Sequence, residues 1–179
     1  EFEGVRRRFA VAGAPQGFDR ARIAHMTEYE VEANWKLVWE NNRECYHCTP
    51  RHPQYVKSNF DVHDEEHASA AVRERIAAAL ARIQSKWEVP GDGVAHPKGG
   101  LATFPDPGHA EGFATESLDG TRVAPLMGDY PDADVGVLRM RSLPNFWLHA
   151  SCDHAVVTRM LPAGARKTLM KSYWVVHQD

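Results

Sequence analysis

The chain has 179 residues, with 21 Lys and Arg against 24 Asp and Glu and a formal charge of −3. That balance excludes the basic footprint of a nucleic-acid binder. A mean hydropathy of −0.48, with no apolar run on the order of 18 residues, excludes a membrane-spanning helix.

The length suits one ordinary domain with a real core. Residues 1–23, with Arg6-Arg7-Arg8 and then Gly13, Pro15 and Gly17, read as a linker. Met26, Tyr29 and Val31 mark a strand over 24–32. Asn34 is placed to cap a helix that puts Trp35, Val38 and Trp39 on one apolar face. Pro50 and Pro53 end it. Residues 64–88 carry the strongest helix signal, dense in alanine with Val72, Ile76, Ala79, Leu80 and Ile83 at helical spacing. Residues 89–112 hold many Gly and Pro and read as a long loop of functional character. Strands are expected at 113–118 and 121–126 around an Asp119-Gly120 turn. Further strands are expected at 135–142, 145–151, 154–161 and 167–176, with Pro162-Ala163-Gly164 turning the last hairpin. The order predicts an α+β fold with one curved antiparallel sheet. The chain opens on Glu1 without a signal peptide and closes inside a strand-like run, so both ends read as cut.

Chemistry concentrates in residues 34–53. Glu40, Glu44, Cys45, His47, Cys48 and His52 crowd one helix end and the turn after it. Glu44 and His47 are three apart and share a helix face. His47 and His52 diverge by roughly 140° on an unbroken helix. A break near Pro50 folds His52 back toward His47. Three readings stay open: a hydrogen-bonded histidine pair, a zinc site using Cys45 and Cys48, and a ferrous site of two imidazoles and a carboxylate. Three cysteines are too few for a disulfide scaffold, and Cys45 and Cys48 flanking His47 favour a reduced, cytoplasmic compartment. Ten histidines point the same way, toward metal or proton chemistry.

The string Asn34-Trp35-Lys36, Glu40-Asn41, Glu44-Cys45-Tyr46-His47 and His52-Pro53 resembles the iron-binding motif of Rieske-type non-haem iron oxygenase α subunits. Residues 121–154 resemble the branch acting on quaternary amines such as glycine betaine, choline and proline betaine. The resemblance implies that His47 and His52 are ligands of a mononuclear Fe(II). Glu44 would be the acid bridging to a neighbouring subunit's cluster, and Asn41 a polar neighbour of the metal. It implies a helix-grip (START/Bet v 1-like) sheet wrapped on a long helix, with the iron between. It further implies a [2Fe–2S] Rieske cluster, O2, an NAD(P)H-dependent reductase and a homotrimer. Cys45, Cys48 and Cys152 do not supply the CxH…CxxH pair of a Rieske cluster, so that domain is expected to precede residues 1–23, with 24–179 the catalytic domain. The third ligand is expected on a helix further along, with Asp179 the lesser candidate.

Tyr46, Trp147 and His149 are candidate pocket residues, the aromatic rings suited to a trimethylammonium group. Asp153 and His154 read as packing or hydrogen-bonding residues. Arg73, Arg75 and Arg82 read as a solvated helix face, and His63 and His67 as an ordinary pair. The implied activity is O2-dependent hydroxylation and N-demethylation of a quaternary amine. Aromatic-ring hydroxylation and non-catalytic small-molecule binding are the alternatives.

Overall fold

Period-two alternation sorts side chains onto two faces of one sheet. The computed structural model describes residues 2–59, 69–87, 101–106, 109–110 and 112–179. Its elements are α1 (Phe2–Gly13), β1 (Ala21–Val31), α2 (Trp35–Arg43), α3 (Cys48–Arg51), α4 (Pro53–Ser58) and α5 (Ala70–Trp87). Then come β2 (Leu101–Asp106), β3 (Val137–Ser142), β4 (Phe146–Ala150), β5 (His154–Gly164) and β6 (Lys167–His177). The strands form one six-stranded antiparallel sheet in the order β1-β6-β5-β4-β3-β2. None of the described helices is long and apolar enough to cross a membrane.

Register fixes the faces. Leu138 pairs with Ala150, Met140 with Leu148, and Ala150 with Ala155. These side chains are buried in the main core with Ile83 of α5, Met127, Tyr130 and Val135, and Phe9 of α1 packs against them. The intervening residues, Arg139 opposite His149 and Arg141 opposite Trp147, lie on the other face. There Trp147 meets Trp39 of α2 with ring centroids 6.3 Å apart, beside buried Met160 and Met170. The sheet therefore separates an apolar core on one side from α2 to α4 on the other. The longest described helix, α5, sits with the core. The short helices α2 to α4 stand over the opposite face.

Residues 2–20 carry local helical structure. The helix α1 runs into two short 3-10 turns, and Gln16 is fully buried, donating to the Tyr130 hydroxyl at 3.1 Å. Gly128, at φ +57°, lets that turn close: a Cβ there would lie 1.9 Å from the Pro15 carbonyl oxygen. The Gly and Pro residues thus mark a packed turn rather than an open joint. Residues 113–126 also differ from expectation. They are bends and turns, not two strands. Ser117 and Thr121 satisfy their polar groups locally, Thr121 donating to the Asp119 carboxylate at 2.9 and 2.7 Å, which competes with ladder pairing. Residues 101–106, expected within the Gly- and Pro-rich loop at 89–112, form the edge strand β2, a position that tolerates proline. His63, His67 and most of the expected loop at 89–112 lie outside the described residues.

Asp153 ties the irregular segment to the sheet. It is fully buried, and it accepts from Thr115 Oγ1 at 2.5 Å, Val123 N at 2.7 Å and His154 Nδ1 at 2.8 Å. Burial alone would raise its pKa, but the donors from His154, Thr115 and Val123 outweigh burial and hold it at about 2. The folded value lies below the unfolded one. Asp153 therefore stabilises the fold fully above the ordinary carboxylate range, and this contribution is lost as pH falls from about 4 to about 2. Asp153→Asn is expected to cost about 2–4 kcal/mol at neutral pH and to flatten the acid limb of stability. Denaturant titrations at stepped pH check this, and an unchanged acid limb would contradict it.

Candidate metal centre

Asn34 sets the start of α2. Its Oδ1 accepts from Lys36 N at 3.0 Å, and its amide donates to the Ala165 carbonyl at 2.9 Å. The helix stops at Arg43, and Glu44 is already extended at φ −107° and ψ 161°. The break therefore falls earlier than Pro50. A short turn leads to His47, which precedes α3, and His52 stands between α3 and α4 at φ −132° and ψ 55°. Pro53 disfavours helical geometry at the residue before it, which is why His52 leaves the helical path.

These breaks bring the two imidazoles together. The ring centroids of His47 and His52 are 5.2 Å apart with the planes 82° to one another. An ion held about 2.1 Å from one nitrogen of each ring, in neighbouring coordination positions, would set the centroids roughly 4.5–5.5 Å apart. The observed pair fits that requirement. Glu44 Oε1 lies 2.7 Å from His47 Nδ1, while Glu44 Oε2 accepts from Tyr46 N at 2.6 Å. Asn41 Nδ2 donates to Glu44 Oε1 at 2.9 Å and also lies 2.8 Å from His47 Nδ1. Nδ1 cannot donate to Glu44 and accept from Asn41 together. A carboxylate only accepts, so Nδ1–H points to Glu44 and both donors converge on that oxygen. His47 then presents the Nε2 lone pair, the arrangement by which a carboxylate orients a metal-binding histidine. The Asn41 amide first, and then His47 and Tyr46 N, hold the Glu44 carboxyl below its ordinary range.

Asn41, Glu44, His47 and His52 line a cavity of about 450 Å³. Arg139, Arg141 and His149 face it from the sheet, and Gln54 and Tyr55 belong to its α4 wall. Desolvation and the Arg139 and Arg141 guanidiniums push His149 down to about 3, so its ring is neutral. Desolvation, then Arg139, lowers Arg141 as well.

Other expected residues fall elsewhere. Tyr46 is 95% exposed and lies outside the cavity, because the turn that aims His47 inward aims its neighbour outward. Trp147 is taken up by packing on Trp39 and is not in the lining. Cys45 and Cys48 are joined in a disulfide across the turn, with Cα atoms 4.9 Å apart. Paired sulfurs are not thiolate ligands, which removes the zinc reading and the expectation of two reduced thiols. Cys152 is buried and free. Asp179 is solvent-exposed, with His177 Nδ1 3.5 Å away. Among the described residues no group of three or more His, Cys, Asp or Glu is arranged to hold a metal ion: Glu44 is turned to His47 Nδ1, and the two imidazoles are the candidate ligands. Sequence reading passed over Arg139, Arg141 and Tyr55. The signal was present in Leu138-Arg139-Met140-Arg141, where two charges at period two alternate with core residues.

Residues 18–179 match the family described as ring hydroxylating alpha subunit (catalytic domain). Among curated proteins, the chain is 39% identical over 173 residues to the glycine betaine monooxygenase oxygenase subunit of Chromohalobacter salexigens, covering 93% of this chain and 37% of that one. It is 35% identical over 172 residues to the subunit of the same name from Pseudomonas aeruginosa, covering 92% and 38%. The chain thus spans less than two-fifths of the length of these relatives. A crystal structure of the quaternary ammonium Rieske monooxygenase CntA superposes with a TM-score of 0.51 at 17% identity, over 96% of this chain and 34% of that one. That likeness is one of fold.

Asn41→Ala removes the donor that contributes most to the low Glu44 pKa. The Glu44 titration midpoint is expected to move up toward the ordinary carboxylate range, followed by carboxyl-carbon NMR. A midpoint that stays in place would show that Asn41 does not carry this charge.

Proposed function

We propose, since the chain belongs to the family of ring hydroxylating alpha subunit catalytic domains, that it is the iron-binding part of an oxygenase acting on a small quaternary amine such as glycine betaine. The observation that carries this reading is the His47 and His52 pair, with Glu44 on His47 Nδ1, opening on one cavity. The curated relatives named for glycine betaine support the substrate class.

In this reading His47 and His52 would hold a mononuclear ferrous ion. When bound, the metal would supply dioxygen activation through positions that protein ligands leave open. The chain's own groups do the arranging. Glu44 fixes the proton of His47 on Nδ1 and keeps Nε2 for the metal. The same carboxylate, about one-third exposed, is the bridging acid through which electrons would arrive from the cluster of a neighbouring subunit. Asn41 donates to that carboxylate and stabilises its charged form. The sheet wall would face the substrate with His149 neutral between Arg139 and Arg141. Hydroxylation of an N-methyl carbon gives a carbinolamine that loses formaldehyde, leaving a tertiary amine. The reading also carries a [2Fe–2S] Rieske cluster, an NAD(P)H-dependent reductase, a homotrimer, a cytoplasmic setting and a helix-grip fold for the whole protein. The polar and charged lining weighs against ring hydroxylation, which favours an apolar pocket.

The test uses the full-length protein with its reductase. Oxygen uptake with glycine betaine should release formaldehyde and dimethylglycine in step. In the same preparation His47→Ala and His52→Ala are each expected to lower bound iron by an order of magnitude or more. Stoichiometric iron in either variant, or oxygen uptake without formaldehyde, would overturn the reading.

A further inference from the structure

We propose that Arg139 and Arg141 form a carboxylate subsite facing the His47 and His52 pair, so that the cavity selects a zwitterion, an ammonium joined to a carboxylate, over an ammonium alone. The proposal rests on the oxygenase reading for which end of the ligand faces the imidazoles. The subsite itself rests on placement.

The two arginines are two residues apart on β3, so both project from the same face of the sheet. Both line the cavity together with His149, the cross-strand partner of Arg139. Arg139 is 5% exposed and held in position: Nη2 donates to Asn59 Oδ1 at 3.2 Å, and the guanidinium lies 5.5 Å from the Tyr55 ring. The lower Arg141 pKa, from desolvation and from Arg139, records the same crowding of positive charge. Guanidiniums match carboxylates in planar, forked geometry.

The opposite wall has the opposite character. Glu44 is the sole carboxylate among the described lining residues, and it stands with the imidazoles. The side-chain cations of the cavity are therefore gathered on the sheet wall, away from the histidine pair. A trimethylammonium acetate that puts its carboxylate on the arginines turns its methyl groups toward His47 and His52. A lone quaternary ammonium meets two guanidiniums with nothing to offer them. At about 450 Å³ the cavity has room for so small a ligand.

Four ligands of one shape separate the two ends. Glycine betaine carries both charges, choline the ammonium, tert-butylacetate the carboxylate and tert-butylethanol neither. Dissociation constants are measured by calorimetry on the full-length, iron-loaded protein, with kcat and KM for the two amines. The unsubstituted protein is expected to bind tert-butylacetate about 10- to 100-fold more tightly than tert-butylethanol. Arg141→Gln should collapse that ratio about tenfold, and Arg141→Lys should keep part of it. For betaine the loss should fall on KM, with kcat at saturation changed far less, and choline should gain relative to betaine. An acid-to-alcohol ratio near one in the unsubstituted protein overturns the proposal even if Arg141→Gln does not fold. Equal weakening of acid and alcohol by Arg141→Gln also overturns it. Should the acid preference and its dependence on Arg141 hold while neither amine is oxidised, the subsite stands and the oxygenase reading falls. Should betaine be oxidised without any preference for the acid, the reverse follows.

Discussion

The hydrogen bond between His47 Nδ1 and Glu44, at 2.7 Å, is the contact on which the site depends. It is made by a turn, not by a helix face. On a continuous helix His47 and His52 would point to different sides, and no choice of rotamer would bring them to one point. The chain stops α2 at Arg43 and gives Glu44 extended geometry, and Pro53 then diverts His52. Two helix terminations within ten positions convert a linear motif into a cluster.

Much of this was legible in the sequence. The Asn34 cap, the Trp39 face and the β3 to β6 strands follow from local patterns strong enough to survive packing. The grouping of Glu44, His47 and His52 was readable because all of them sit within one short segment. What was not legible depended on contacts far apart in sequence. Gly13, Pro15 and Gly17 look like a linker until Gln16 meets Tyr130, 114 positions away. The two aspartates that anchor the end of α5, Asp132 and Asp134, belong to a segment with no regular structure, bound by Lys86 and Arg82. Tyr46 adjoins a ligand candidate in sequence yet faces solvent, since neighbours in a tight turn diverge.

Arg139 and Arg141 show the other kind of omission. A strand of alternating Leu, Arg, Met and Arg reads as half buried, with the charges given to water. Here α2 to α4 cover the face that alternation assigns to solvent. Both faces are thus enclosed, one apolar and one polar, and the polar enclosure is where ligand chemistry has room.

The attachment of α2 has a consequence for the order of events in the cell. Its cap residue Asn34 is pinned to Ala165, 131 positions later, and Ala33 accepts a hydrogen bond from Thr168. The strand before it, β1, finds its partner only in β6. During synthesis the segment bearing both histidines leaves the ribosome long before the hairpin that anchors it. Such long-range closure is slow and entropically late. The turn carrying His47 and His52 is therefore tied to the sheet only once the β5–β6 hairpin is in place.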